Sequence, residues 1–115
     1  MQSDLLGTPQ LRPCSPEFWS PPPQGSIKLN FDGASKGNPG QARFGGAFKN
    51  DRGQILNIYY EKLGLESNNM VELMGLLQGI IIARNQGLLP LIVEGDSALI
   101  LSMAQAAIKS LFPGG

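Results

Sequence analysis

The sequence predicts an α/β fold with one mixed sheet, in the element order β-β-β-α-β-α. Two observations carry this. Apolar residues alternate with a period of two over the first half of the chain and then switch to helical spacing near residue 69. After that helix comes a short unbroken apolar run, Leu91-Ile92-Val93, of the kind a strand covered on both faces shows. A helix between two strands makes a crossover, so the later strand is expected parallel to its neighbour within an otherwise antiparallel sheet.

From Ile27 to Phe31, Ile27, Leu29 and Phe31 share one face while Lys28, Asn30 and Asp32 share the other, which is the pattern of a strand with one buried side. The segment GASKGNPG follows as a loop, with three glycines and a proline. Phe44 to Lys49 is the second strand. Asn50-Asp51-Arg52-Gly53 is a turn with Gly53 suited to positive φ, and Gln54 to Leu63 is the third strand. These three are expected to form an antiparallel meander. Asn69 is read as the cap of the first helix, with Glu72 three residues on returning a bond to the Asn69 amide. Val71, Met74, Leu77 and Ile81 form one helical stripe, with Leu73, Leu76, Ile80 and Ala83 beside it. Gly87 ends this helix. Gly75 and Gly79 each weaken it by about 1 kcal/mol relative to Ala, which close packing against the sheet would explain. Asp96 or Ser97 caps the second helix, Ala98 to Leu111.

Residues 1–26 contain six prolines and few apolar side chains, and are read as a flexible or polyproline-like tail whose Phe18 and Trp19 could dock locally on the domain. The domain proper is expected over 27–112. With 115 residues there is room for one small domain.

Composition removes several function classes. There is no histidine, so Cys/His zinc sites and Ser-His-Asp or Cys-His triads are excluded. The single cysteine, Cys14, cannot build a disulfide framework, which fits a reducing compartment. No apolar run approaches the ~20 residues a membrane span needs, and no secretory signal pattern opens the chain. The expected location is intracellular, in nucleus or cytoplasm, with no membrane partner. Net charge is zero, so the surface as a whole has no basic footprint. Lys28, Lys36, Arg43, Lys49 and Arg52 do fall in one stretch; they read first as solvated strand and loop side chains, with a local basic patch as the alternative. GASKGNPG lacks the GK[ST] ending of a P-loop, no GxGxxG opens a helix, and Asp32-Gly-Ala-Ser lacks the alternating acids of an EF-hand.

Three carboxylates remain. Each has a plain local role: Asp32 as the first residue of an Asp-Gly turn, Glu72 as a capping glutamate, Asp96 as a helix cap. Their placement suggests more. If the fourth strand lies parallel beside the first, Asp32 and Asp96 emerge at the same edge, where open α/β sheets build their sites, and the first turn of the crossover helix can bring in Glu72. Clustered carboxylates repel unless a cation sits among them, and oxygen donors suit Mg²⁺. Two such ions about 3.5–4 Å apart can activate water and stabilise the leaving oxygen of a phosphodiester.

The stretches KLNFDGASKGNPG, RFGGAFKNDRGQIL, SNNMVELMGLLQGI and LIVEGDSALI, covering roughly residues 27–103, resemble type 1 ribonuclease H. The likeness is strongest to the ribonuclease H-like (reverse transcriptase-like) domains of plant proteins and plant retrotransposon polyproteins, and the segment WSPPPQGSIKLNF of this chain resembles their Pro-rich lead-in. The resemblance implies a ribonuclease H-like mixed sheet and divalent-metal-dependent endonucleolytic hydrolysis of the RNA strand of RNA–DNA hybrids. It implies Mg²⁺ or Mn²⁺, two ions in a complete site, held by Asp32, Glu72 and Asp96 as catalytic residues. It places Asn38, Asn68 and Asn69 at positions that touch the hybrid. Relative to the family, the sequence ends before a fifth strand and a last helix region that carries a fourth acidic ligand, so the fold is expected to be C-terminally truncated, with the edge of the fourth strand open. A catalytically impaired hybrid- or partner-binding module, or an inert truncated fragment of a retrotransposon-derived polyprotein, therefore stands as the alternative.

Overall fold

A computed structural model describes residues 8–13, 21–37, 39–95 and 97–112. It contains β1 (Gln10–Pro13), β2 (Ile27–Lys36), β3 (Gly40–Lys49), β4 (Ile55–Glu66), α1 (Asn68–Gln86), β5 (Leu91–Gly95) and α2 (Ala98–Leu111). The five strands form one sheet in the order β1-β5-β2-β3-β4. β2, β3 and β4 are the expected antiparallel meander, and β5 lies parallel beside β2, as the crossover through α1 requires. No helix among the described residues is long and apolar enough to cross a membrane.

Both helices pack on one face of the sheet. Leu29 of β2, Phe48 of β3, Leu76 and Ile80 of α1, and Val93 of β5 are all fully buried there, with Ile100, Ala104 and Ile108 of α2. A buried Leu, Ile or Phe of this kind contributes about 1.5–3 kcal/mol relative to exposure. The two glycines of α1 have the packing role their spacing suggests. A Cβ on Gly75 would stand 2.9 Å from the Cβ of Phe44, and one on Gly79 would stand 2.6 Å from Leu29 Cδ2. The helix backbone therefore lies against the sheet where no side chain fits between them. Tyr59 closes the seam: its hydroxyl donates to the Gly75 carbonyl at 2.7 Å, and burial pushes its phenol well above the ordinary value.

Three features differ from the sequence expectation. First, Gln10–Pro13 is not a free tail. It pairs parallel with β5, Leu11 opposite Val93, and Leu11 packs on the main core. Without it the far edge of β5 would present unpaired amides and carbonyls. That edge, expected open, is covered, and the order becomes β-β-β-β-α-β-α. Prolines belong on an edge strand, whose outer side needs no donors, which is why this short strand looks like a tail in the sequence. Closer to β2, the Gly25 amide donates to Asp51 Oδ2 at 2.8 Å and Pro22 is buried, so the lead-in is held against the β3–β4 turn. Phe18 and Trp19 lie outside the described residues. Second, most of GASKGNPG is strand: the β2–β3 ladder continues to the pair Lys36 and Gln41. Third, the cap of α1 is Ser67, whose hydroxyl accepts from the Met70 amide at 3.2 Å. Asn69 lies inside the helix and Glu72 in its second turn, beyond reach of a capping box.

Candidate functional site

Alternation along β2 assigns its side chains to two faces. Leu29, Phe31, Gly33 and Ser35 face the helices; Lys28, Asn30, Asp32, Ala34 and Lys36 face the other way. Asp32 is exposed and stands within the strand, opposite Gly45 of β3. Its Oδ1 accepts the Gly33 amide at 2.9 Å. The missing side chain of Gly45 leaves a hollow beside this carboxylate, bordered by Arg43 and Tyr60.

Gly33 brings the second carboxylate to the same place. A Cβ there would stand 3.0 Å from the Val71 carbonyl oxygen and 3.2 Å from Glu72 Cα. No other residue lets α1 approach so closely, and the contact sets half-buried Glu72 beside the residue that follows Asp32. The junction is fastened a turn earlier, where the Ser35 amide donates to Asn68 Oδ1 at 2.9 Å and the Ser35 hydroxyl donates to the Glu66 carbonyl. Asn68 thus ties the end of β2 to the start of α1, while Asn69 is exposed on the first turn.

Asp96 and Asn38 lie outside the described residues. Their described neighbours bracket the same region. Gly95, at the end of β5, is packed against Phe31, so that a Cβ on it would stand 3.2 Å from Phe31 Cζ. Ser97 caps α2, accepting the Ile100 amide at 3.2 Å. The structure therefore brings Asp32 and Glu72 together at backbone level. Among the described residues no group of three acidic or sulfur ligands gathers, a set that does not include Asp96. The donors present are carboxylate oxygens at a solvent-exposed sheet end, hard ligands of the type Mg²⁺ and Mn²⁺ accept.

Sequence reasoning missed one charged element on this sheet. Lys28 is 2% exposed, and its Nζ lies 2.7 Å from Glu94 Oε1 of β5. A buried lysine of this kind is legible only once β5 is known to lie next to β2.

Residues 30–109 match the family described as reverse transcriptase-like. A ribonuclease H protein of Arabidopsis thaliana is 31% identical over 109 residues, which is 95% of this chain and 18% of that protein. Ribonuclease HI of Halobacterium salinarum is 33% identical over 76 residues, 66% of this chain and 38% of that protein. The chain thus spans well under half the length of these two relatives. Among solved structures, ribonuclease H1 of Halobacterium salinarum superposes with a TM-score of 0.66 at 27% identity, over 78% of this chain and 79% of that one. LC11-RNase H1, solved with an RNA/DNA hybrid, gives 0.65 at 22% identity over 76% and 78%, a likeness of fold.

Proposed function

This chain belongs to the reverse transcriptase-like family and has the ribonuclease H fold, and from that premise we propose that it hydrolyses the RNA strand of RNA–DNA hybrids at Asp32, Glu72 and Asp96. The observation that supports the reading is the Gly33 contact, which sets the backbone of Glu72 against β2 beside Asp32. Ser67 caps α1, Ser97 caps α2, and Asp32 stands in mid-strand, not in a turn.

Asp32, Glu72 and Asp96 would hold the divalent cation. When bound, Mg²⁺ or Mn²⁺ activates water for attack on a phosphodiester and stabilises the leaving oxygen. The chain's own part is placement. The Gly33 amide orients the Asp32 carboxylate, and the Gly33–Glu72 contact fixes how far α1 stands from β2. Asn38, Asn68 and Asn69 would contact the hybrid from the β2–β3 connection and the start of α1, reading 2′-hydroxyls and sugar–phosphate shape and leaving base sequence unread.

The test is cleavage of a labelled RNA–DNA hybrid in Mg²⁺ and in Mn²⁺, with DNA duplex and single-stranded RNA as controls. The native chain is expected to cut only the RNA strand of the hybrid, and Asp32→Asn to lose at least about a hundredfold, since even outer partners of metal ligands are worth about 10–100-fold. Cleavage that survives Asp32→Asn sinks the assignment. Hybrid binding without cleavage in either metal returns the impaired-module alternative.

A further inference from the structure

We propose that Lys36, Arg43 and Lys62 form a cationic strip on the helix-free face of the sheet that holds the phosphodiester backbone of the hybrid as it leaves Asp32. The proposal rests on the hybrid reading above and names residues that the reading does not use.

The register sets the three side chains together. Arg43 of β3 lies directly opposite Lys62 of β4 and, on its other side, opposite Ala34 of β2, two residues from Lys36. All three are exposed. Directly opposed like charges destabilise a strand pair, and an anion bound across an exposed Arg–Lys pair with a second lysine nearby would relieve that cost.

The same sheet supplies an internal control. Lys28 and Lys49 are also directly opposed, and there Glu94 of β5 sits 2.7 Å from the Lys28 ammonium. At the Arg43–Lys62 end no described carboxylate makes an ion pair with any of the three cations. Glu61 is on the helix side, opposite buried Phe44, and Asp32 lies on the diagonal from Arg43. A chain of phosphates can supply the compensating charge that no ion pair among the described residues provides here.

The shape fits a chain of phosphates. The hollow beside Asp32 and a larger one, of about 520 Å³, that is lined by Lys36 and Lys62 share Ala34 and Arg43, so the two adjoin. Neighbouring strands stand about 4.8 Å apart and alternate residues of one strand about 6.6 Å apart. Three long cationic side chains at those spacings can meet successive phosphates of one nucleic-acid strand. The chain as a whole is neutral, so this is a local asymmetry of charge rather than general basicity.

The experiment is the salt dependence of hybrid binding by the full chain, read by fluorescence anisotropy of a labelled RNA–DNA hybrid in chelator, where no cleavage occurs. Each of Lys36→Gln, Arg43→Gln and Lys62→Gln is expected to weaken binding and lower the log–log salt slope by about 1, and the triple variant by about 3. Lys109→Gln, on exposed α2 surface, is expected to leave the slope unchanged. Circular dichroism and thermal melting of each variant confirm that the fold persists. Unchanged slopes in the strip variants, an equal drop in Lys109→Gln, or no binding by the native chain would each overturn the strip. A lowered slope in a chain that never cuts RNA supports the strip and ends the nuclease reading. Cleavage with unchanged slopes does the reverse.

Discussion

The two ends of β2 are built from the same alternation and handle charge in opposite ways. At the start of the strand, Lys28 is buried and paired with Glu94 of β5, and Lys49 stands across from it. Toward its end, Asp32 and Lys36 are exposed, Arg43 and Lys62 stand nearby, and the Asp32 carboxylate accepts the adjacent Gly33 amide. The first end is closed by a neighbouring strand that brings its own counter-charge. The second lies beyond the last residue that β5 pairs with, where the register stops at Leu29 and Val93. Where the β2–β5 pairing ends, the charges on β2 stand exposed.

Four substitutions separate these roles. The largest effect is expected at the closed end: Glu94→Gln leaves the Lys28 ammonium buried beside a neutral partner, and breaking a buried pair in this way costs about 3–5 kcal/mol, measurable by chemical denaturation. A loss below ~1 kcal/mol would mean that this end is as solvated as the other. Next is Asp32→Asn. The hundredfold or greater loss of cleavage corresponds to about 2.7 kcal/mol of transition-state stabilisation, whereas stability should move by less than about 0.5 kcal/mol, because the side chain is exposed. A matching loss of stability would erase the contrast between the ends.

Gly33→Ala tests whether the open end depends on the fold's closest contact. Its Cβ would meet the backbone of Val71 and Glu72 at 3.0–3.2 Å, so α1 must shift, at a cost of about 1–3 kcal/mol and with loss of activity although both carboxylates remain. Full activity in this variant would show that the Asp32–Glu72 spacing is not set there. The smallest effect is at Tyr59. Its phenol, ordinarily titrating at 10.0, is held protonated by burial, so the folded chain binds more protons than the unfolded one above that pH. The associated stability is complete below pH 10 and declines as pH rises beyond it. Tyr59→Phe should lose about 1 kcal/mol at neutral pH with the Gly75 hydrogen bond, and should lack the alkaline decline.

Much of this was legible in the residues. The alternation of Ile27 to Phe31, the Asn50–Gly53 turn and the Gly87 stop each form as read; Gly53 donates its amide to Asn50 and Gly87 takes φ +68°. The glycine pair in α1 was legible as a packing signal, because glycine costs helix stability and needs a reason to be there. The cap of α1 was misplaced by two residues because Ser67, Asn68 and Asn69 all belong to capping residue types. What excluded Asn68 is a tertiary bond, its acceptance of the Ser35 amide, which no local rule anticipates. β1 was missed for a similar reason: four residues ending in proline have no strand signal until an edge is there to receive them.

The sequence by itself determined the order of elements from β2 onward, the antiparallel meander, the parallel return through α1 and the choice of Asp32, Glu72 and Asp96 as the acids worth examining. Those follow from periodicity, turn chemistry and helix start signals, all of which act over a few residues. The tertiary structure alone decided that β1 covers the far edge of β5, that Glu72 stands beside Gly33, that Glu94 neutralises Lys28, and that Arg43 faces Lys62. Each of these depends on the register or close approach of segments distant in the chain. Register is fixed by the packing of the whole sheet against α1 and α2, and no short stretch of sequence contains that information.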